Sequence, residues 1–313
     1  MTTTPIIAAP LDQVQTVPDV ALVFEGGGMR AAISAGVVQL LLREGIGFPL
    51  VCGISAGSSH TVNYLARQPG RARASFVEFG ADPHIGGVTT WLRGRGFFDS
   101  EYIYMNTSGP GQSLPIDFVT YLANPADMRL GSFDIDDGTP TYFTKADVRT
   151  LRDLLTRVRA SSSMPILMPP VEIGGHKFLD GALGPSGGIP VDAAEAAGFK
   201  RFFVVLTRER AYRKTNEAPK PVFDVWWRNH PAVRDALNNR PAVYNAMRDR
   251  IFELERQGRA LVFAPGAKPP ASSNTTDVAK LRVCYEMGLS QAESELPRWK
   301  EWLGLDCPAA RRR

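Results

Sequence analysis

Cysteine is scarce in this chain, and its scarcity excludes two kinds of stabilisation. Only Cys52, Cys284 and Cys307 occur among 313 residues. They are too few for a disulfide framework and too scattered for a zinc site. No cluster of histidines and carboxylates suggests another metal, so we expect no metal and no other cofactor. Cys52 stands in an apolar run and is expected to be a packed thiol.

Long apolar runs and blocks of basic charge are also lacking. No run is long and apolar enough to span a bilayer, and residues 1–18 lack the charged start and apolar stretch of a signal peptide. The net charge is only +4, without the basic residues interleaved with aromatics that line nucleic-acid grooves. We therefore expect a cytoplasmic protein, at most peripheral at a membrane, that binds no nucleic acid. Its oligomeric state is not visible in the sequence.

What the sequence does contain is an alternation of short apolar strands and helical patterns. Residues 20–24 and 202–206 are apolar runs typical of buried parallel strands. A helical pattern over residues 31–44 follows the first of them, and a further strand is expected at residues 260–264. This alternation predicts an α/β fold with a mostly parallel central sheet and helices on both faces.

A glycine triplet follows the first predicted strand directly. Gly26, Gly27 and Gly28 stand between that strand and the helical pattern, so their backbone N–H groups are uncovered and favour an anion or an oxyanion. A nucleotide phosphate loop is the alternative, but neither the Gly-x-Gly-x-x-Gly spacing nor a Gly-Lys-Ser/Thr motif is present. Arg30, two residues on, is expected to steady the loop, to contact a phosphate group or to form a salt bridge.

A second glycine motif, Gly-Ile-Ser-Ala-Gly at residues 53–57, lies between a short apolar run and a helical pattern that reaches Leu65. A strand, a tight Gly-x-Ser-x-Gly turn and a helix form the context in which a serine becomes an exposed nucleophile. The motif therefore makes Ser55 a candidate nucleophile. An ordinary glycine-flanked turn between a strand and a helix is the alternative.

A serine hydroxyl needs a base to remove its proton, and Asp180 is one candidate. It follows a predicted hairpin over residues 171–173 and 176–179, and small residues, Gly181 and Ala182, come after it. A carboxylate at such a strand end can face a site, although Asp-Gly is also common in exposed turns.

A histidine is the other candidate base. Only His230 has the Ser…Asp…His chain order of α/β-hydrolases. His60 lies in the helix after Ser55 and is expected to point elsewhere, and His84 precedes Asp180 in the chain. His176 is four residues from Asp180, or about 13 Å along a strand. The residues by themselves leave both kinds of base open.

Three blocks occur in a recognisable order: Gly-Gly-Gly-Met-Arg at residues 26–30, Gly-Ile-Ser-Ala-Gly at 53–57 and Asp-Gly-Ala at 180–182. With them, the chain resembles the patatin-like phospholipase family from about residue 21 to residue 206. Two small departures are Ala31, where many members have glycine, and Asp-Gly-Ala in place of Asp-Gly-Gly.

The resemblance implies a three-layer α/β/α hydrolase that cleaves acyl esters of lipids, or a small ester, with a Ser–Asp dyad. Ser55 would be the nucleophile, Asp180 the base, and Gly26, Gly27 and Gly28 the oxyanion hole. Because a free aspartate is a weak base at neutral pH, we expect partial burial to raise the pKa of Asp180. The alternatives are a histidine-dependent serine esterase and a catalytically silent lipid-binding or regulatory protein on the same fold.

The chain is expected to divide into a flexible tail over residues 1–18, a catalytic core over 19–208, an α/β extension on the same sheet over 209–306 and a basic tail over 307–313. Within the core, residues 91–105 combine apolar side chains with flanking arginines. They are expected either to pack against the core or to form a lipid-facing surface or lid.

Overall fold

A computed structural model describes residues 7–94, 96–215 and 224–305. Its strands, in chain order, are β1 (Gln15–Thr16), β2 (Val20–Phe24), β3 (Ile46–Gly47), β4 (Leu50–Ile54), β5 (Asp127–Asp134), β6 (Pro140–Phe143), β7 (Val171–Ile173), β8 (His176–Asp180), β9 (Arg201–Val205) and β10 (Ala260–Phe263). Its α-helices are α1 (Ala32–Arg43), α2 (Ala56–Leu65), α3 (Pro69–Phe76), α4 (Val88–Leu92), α5 (Ser100–Met105), α6 (Phe118–Ala123), α7 (Leu151–Ser162), α8 (Val191–Ala196), α9 (Pro231–Arg256) and α10 (Val278–Leu303).

The main sheet has the strand order β10-β9-β2-β4-β5-β8-β7, and β6 pairs with β5. The pairs from β10 to β5 are parallel, whereas β6, β7 and β8 join by antiparallel pairing. The parallel strands are joined by helical crossovers, as parallel pairing requires. The predicted mostly parallel α/β sheet is confirmed.

Helices cover both faces of this sheet. Along β2, Leu22 and Phe24 belong to an apolar core shared with α1, α2, α7 and α10, whereas Ala21 and Val23 belong to a second core shared with α8 and α9. Successive side chains of a strand point to opposite faces, so both faces of β2 are apolar and buried. The fold has three layers, α/β/α, as predicted.

The chain after residue 208 adds to the same sheet and to both helical layers, α9 on one face and α10 on the other. β10 pairs in parallel with β9 at the sheet edge, and α10 packs along α1. At their closest approach, a Cβ on Gly288 would lie 2.0 Å from the carbonyl oxygen of Ile33. The backbones of α1 and α10 are therefore in direct contact at a point where only glycine fits.

The beginning of the described chain differs from the expected flexible tail. Gln15 pairs with Ile46 in a short parallel ladder, Val17 is buried, and the Ala9 amide donates to the Leu42 carbonyl at 2.9 Å. Part of the predicted tail is thus fixed to the core, because its backbone bonds to α1 and β3 and Val17 is buried. The basic tail expected at residues 307–313 lies outside the described residues.

The cysteines and the helices agree with what the sequence lacks. Cys52 and Cys284 are free and buried, and burial raises the pKa of the Cys52 thiol, which fits a packed role. Cys307 lies outside the described residues. In the described ranges, no helix combines the length and apolar character that crossing a membrane would need.

Candidate active site

The register of the sheet brings the two candidate catalytic strand ends together. Ile54, the last residue of β4, pairs with Gly131 of β5, and the next residue of β5, Ser132, pairs with Asp180 at the end of β8. Ser55 and Asp180 therefore lie at the same level of the sheet, on either side of β5. The Ser55 side chain acts on the Asp180 carboxylate and lowers its pKa.

Ser55 occupies a tight turn between β4 and α2. Its backbone has φ 58° and ψ −127°, a conformation that costs a residue with a Cβ about 1–3 kcal/mol. The surroundings leave no room for side chains on the flanking glycines: a Cβ on Gly53 would lie 2.2 Å from the carbonyl oxygen of Gly57. The Ser55 amide is held 3.1 Å from the Ser161 hydroxyl oxygen. These features are those of a nucleophile elbow.

Asp180 is buried, with 4% of its surface exposed. Burial raises the pKa of its carboxyl group, while the hydrogen bond from the Ala182 amide, the Ser55 side chain and the charge of Arg240 lower it. The bond from Ala182 measures 2.9 Å. The raised pKa expected from burial is confirmed, and it makes Asp180 a stronger base at neutral pH than an exposed aspartate.

The glycine triplet forms a loop beside Ser55, but its three amides are not equivalent. The Gly26 amide donates to the Gly188 carbonyl at 3.0 Å, so it is already occupied; the prediction that Gly26 donates to an oxyanion is wrong. Among the described residues, the amides of Gly27 and Gly28 have no acceptor. These two amides, at the start of a short 3-10 turn (Gly28–Ala31), are the donors available to an oxyanion.

A buried carboxylate supports this loop from below. One oxygen of Glu25 accepts a hydrogen bond from the Tyr244 hydroxyl at 2.6 Å, and the other lies 3.0 Å from the Thr207 hydroxyl. Arg30 Nε donates to the same Thr207 oxygen at 3.3 Å. Of the roles expected for Arg30, the structure supports that of steadying the loop.

Glu25, Thr207 and Tyr244 were not among the site residues predicted from the sequence. The position of Glu25 directly before the glycine triplet was a usable signal, because a buried carboxylate at that place must be matched by donors. Tyr244 lies on α9, 219 residues further along the chain, and nothing in its local pattern indicated a contact with Glu25.

Two cavities meet at Ser55. The first, which we call the apolar cavity, has a volume of about 100 Å³. Most of its wall is made of apolar side chains that include Val62, Phe76, Leu155 and Met168, and the polar part consists of Ser55, five further serines, Tyr104 and Arg71. Its shape and composition suit a hydrocarbon chain.

The second, which we call the basic cavity, is larger, at about 410 Å³. Ser55, Asp180 and the glycine loop line it as well. Its cationic side chains come from four places in the chain: Arg30, Arg208, Lys214 and Arg240.

The four histidines, all within the described ranges, are absent from the walls of both cavities. His60 Nε2 lies 2.8 Å from the Ala31 carbonyl oxygen, and His176 Nδ1 lies 2.8 Å from Asp134 Oδ2. His84 is exposed, and its Nδ1 lies 3.1 Å from Asp82 Oδ1. His230 precedes α9 and has its ring centroid 6.0 Å from that of Trp227. No imidazole is brought to Ser55.

The segment from Trp91 to Met105 is divided between the two expected roles. Trp91 and Leu92 are exposed, by 51% and 73%, whereas Phe98 is buried in a cluster with Met168. Ile103 lines the apolar cavity. The second half of the segment therefore packs against the core, and the first half presents apolar side chains to solvent. Arg95 lies outside the described residues.

Comparison with known proteins gives two family matches. A family model described as patatin-like phospholipase matches residues 22–195, which include β2, the glycine loop, Ser55 and Asp180. A second model, a domain of unknown function (DUF6363), matches residues 230–304, which include α9, β10 and α10.

Individual proteins are also similar to this chain. YjjU of Escherichia coli (strain K12), an uncharacterized protein, is 30% identical over 191 residues, which are 60% of this chain and 52% of YjjU. Lysophospholipase NTE1 of Debaryomyces hansenii is 25% identical over 306 residues, 90% of this chain but 18% of NTE1. The chain thus spans about half of the first relative and less than a fifth of the second. In the solved structures, VipD from Legionella pneumophila is similar with a TM-score of 0.45 and 12% identity, over 93% of this chain and 68% of VipD.

Proposed function

Because the chain belongs to the patatin-like phospholipase family, we propose that it is a serine lipid acyl hydrolase with Ser55 as nucleophile and Asp180 as base. The observation that carries the proposal is the position of Ser55 and Asp180 at strand ends on either side of β5, where both line the basic cavity and Ser55 also lines the apolar cavity. A carboxylate rather than an imidazole is the base in this proposal, since no histidine lines either cavity of the described structure.

The reaction follows from the positions of these groups. Asp180 accepts the Ser55 hydroxyl proton as Oγ attacks the ester carbonyl carbon. The carbonyl oxygen becomes an oxyanion that accepts hydrogen bonds from the Gly27 and Gly28 amides. When the tetrahedral intermediate collapses, protonated Asp180 gives its proton to the leaving alcohol. Water then attacks the acyl-enzyme, with Asp180 again as base, and frees the fatty acid.

The two cavities divide the substrate in this mechanism. The acyl chain enters the apolar cavity, where hydrocarbon is removed from water at about 0.8 kcal/mol per buried CH₂. The alcohol portion occupies the basic cavity. Two predictions from the sequence stay predictions. One is that the substrate is bound at a membrane surface, and the other is that the protein is cytoplasmic.

Labelling with a fluorophosphonate probe tests the proposed nucleophile. We expect rapid covalent labelling of the native chain and none of Ser55→Ala, because the probe reacts with a serine that a neighbouring base activates. His230→Ala is the matched control and should be labelled at the native rate. A folded Ser55→Ala protein that still reacts would remove Ser55 from the mechanism, and loss of labelling in His230→Ala would replace the dyad by a histidine-dependent esterase.

Gly28→Ala tests the oxyanion loop. A Cβ on Gly28 would lie 2.3 Å from the carbonyl oxygen of Ser273, and the residue has φ +54°, so the loop must move. Loss of an oxyanion donor typically lowers kcat by about 10²–10³-fold, and we expect a fall of that order for a soluble ester. Gly70→Ala, where a Cβ would meet nothing within 4 Å, should keep native kcat. A Gly28→Ala variant within a few-fold of native activity would contradict the assigned role of the loop.

A further inference from the structure

The two cavities differ in their access to Asp180. Both contain Ser55, but Asp180 lines only the basic cavity. In the proposed function, on which this inference rests, Asp180 gives its proton to the departing alcohol. The alcohol must therefore leave on the Asp180 side, and the basic cavity is the place where its substituents are bound.

The charge of the basic cavity is predominantly positive. Four cationic side chains line it, against the carboxylates of Glu25 and Asp180. Both oxygens of Glu25 accept hydrogen bonds, from the hydroxyls of Tyr244 and Thr207, so part of its capacity to accept hydrogen bonds is already used within the protein. Electrostatic complementarity favours an anion in such a cavity.

Arg208 is the side chain best prepared for an anion. Its guanidinium carbon lies 4.4 Å from the centroid of the Tyr212 ring, and its Nε is buried without an acceptor among the described residues. A guanidinium fixed by stacking keeps its planar set of N–H donors for bidentate binding of a phosphate. Lysine could not replace it fully, because an ammonium group is a point charge.

The charge of Arg208 also acts on Arg30. Burial lowers the pKa of the Arg30 guanidinium, and the charge of Arg208 lowers it further, while Glu25 opposes both effects. Two neighbouring positive charges repel each other, and an anion bound between them stabilises both. The geometry and the charges thus indicate the same kind of ligand.

Most of this positive wall comes from outside the patatin-like match. Arg208, Lys214 and Arg240 follow residue 195, where that match ends, and only Arg30 lies within it. Arg240 belongs to α9 and to the match with the domain of unknown function. The C-terminal part of the chain therefore supplies a substrate-facing surface as well as structural support.

We propose that this wall binds a phosphate group on the alcohol part of the substrate, so that the enzyme prefers acyl esters of an anionic glycerophosphate to zwitterionic or neutral ones. Arg208 is the main specificity-determining residue. Arg240 lies in the same wall, and its charge also acts on Asp180, so Arg208 is the cleaner position for a test.

The test compares three esters of one short acyl chain that remain monomeric in solution: an acylglycerol, an acylglycerophosphocholine and an acylglycerophosphate. We expect kcat/KM to rise in that order. Arg208→Gln should lower the ratio of kcat/KM for the glycerophosphate to that for the acylglycerol by about 10–100-fold, the loss expected for hydrogen bonds to a charged group. Arg208→Lys should recover part of it.

Arg213→Gln is the matched control. Arg213 belongs to the same segment but is exposed and paired with Asp249 at 2.5 Å, outside the cavity wall, so its replacement should leave the ratio unchanged. Thermal melting and the rate of fluorophosphonate labelling show whether each variant folds. Equal kcat/KM for all three esters, or an unchanged ratio in a folded Arg208→Gln protein, would overturn the proposal.

Inorganic phosphate is the further probe, because a free anion could occupy the same wall. Weak competition by phosphate together with strong preference for the glycerophosphate ester supports a site for the substrate's own phosphate. Tight phosphate binding without discrimination between the esters would assign the wall to a free anion and would overturn the proposal. Failure of labelling and of all three hydrolyses, by contrast, would refute the proposed function itself.

Discussion

Ser55→Gly is expected to abolish turnover, by a factor on the order of 10⁶, and yet to melt at a higher temperature than Ser55→Ala. Both replacements remove the hydroxyl that acts on the Asp180 carboxylate. They differ in the backbone, since alanine keeps a Cβ at φ 58° and glycine does not. Relief of about 1–3 kcal/mol of strain exceeds the roughly 0.5–1 kcal/mol that glycine's unfolded-state entropy costs.

Thermal melting of the two variants side by side provides the measurement. For a chain of this size, we expect glycine to raise the melting temperature over alanine by about 2–4 °C for each kcal/mol gained. The residual rates of the two variants should be equal. If Ser55→Ala melts at or above Ser55→Gly, the turn at Ser55 stores no strain.

Asp180→Asn is expected to lower kcat by about 10²–10⁴-fold, the usual contribution of a general base, and to raise the melting temperature at neutral pH. An asparagine oxygen can still accept the hydrogen bond from the Ala182 amide. The replacement removes a buried negative charge whose desolvation opposes folding, because burial raises the pKa of Asp180.

The pH dependence of the melting temperature shows whether Asp180→Asn is stabilised by the loss of a buried charge or by a change in side-chain packing. The pKa of Asp180 is higher in the folded than in the unfolded chain, so native stability falls as pH rises from about 3.9, the ordinary value, through the folded value. The melting-temperature advantage of Asp180→Asn should grow through that interval and stay constant above it. Native kcat should be lost as pH falls through the folded pKa, above the range of an exposed aspartate.

Asp192→Asn is the matched control for Asp180→Asn. Burial also raises the pKa of Asp192, whose carboxylate accepts hydrogen bonds from Tyr142 at 3.1 Å and lies outside both cavity walls. This variant should keep native kcat, and its kcat should fall at low pH over the same range as in the native protein. Two results would argue against Asp180 as the base. One is native kcat in Asp180→Asn, and the other is loss of native kcat only at the pH where an exposed aspartate titrates.

The parts of the site that sequence could predict are those set by local chemistry. The Gly-x-Ser-x-Gly turn after β4 and the carboxylate at the end of β8 are visible because their motifs constrain the backbone around Ser55 and Asp180. The occupied amide of Gly26 was not visible. It depends on the carbonyl of Gly188, and a glycine triplet by itself does not show which of its N–H groups the fold already uses.

Long-range packing explains the remaining differences. The last helix, α10, continues past Pro297, a residue that usually ends a helix, as far as Leu303. Trp299 is fully buried and packs edge-on against Phe203 with ring centroids 4.8 Å apart. Such burial outweighs the cost of a proline within a helix, about 3 kcal/mol. The contacts of Arg240 and Tyr244 with the active site depend on the same kind of distant packing.

The direct backbone contact of α1 with α10 at Gly288 has a consequence for where this chain can be divided. The patatin-like match ends at residue 195, yet a fragment ending there would lack β9, β10 and α10. The apolar strand β2, buried along its whole length, would become an unpaired edge strand. The face of α1 that contacts Gly288 would be exposed to solvent. Exposed apolar edges of this kind pair with other chains, so such a fragment would aggregate instead of folding as a smaller enzyme.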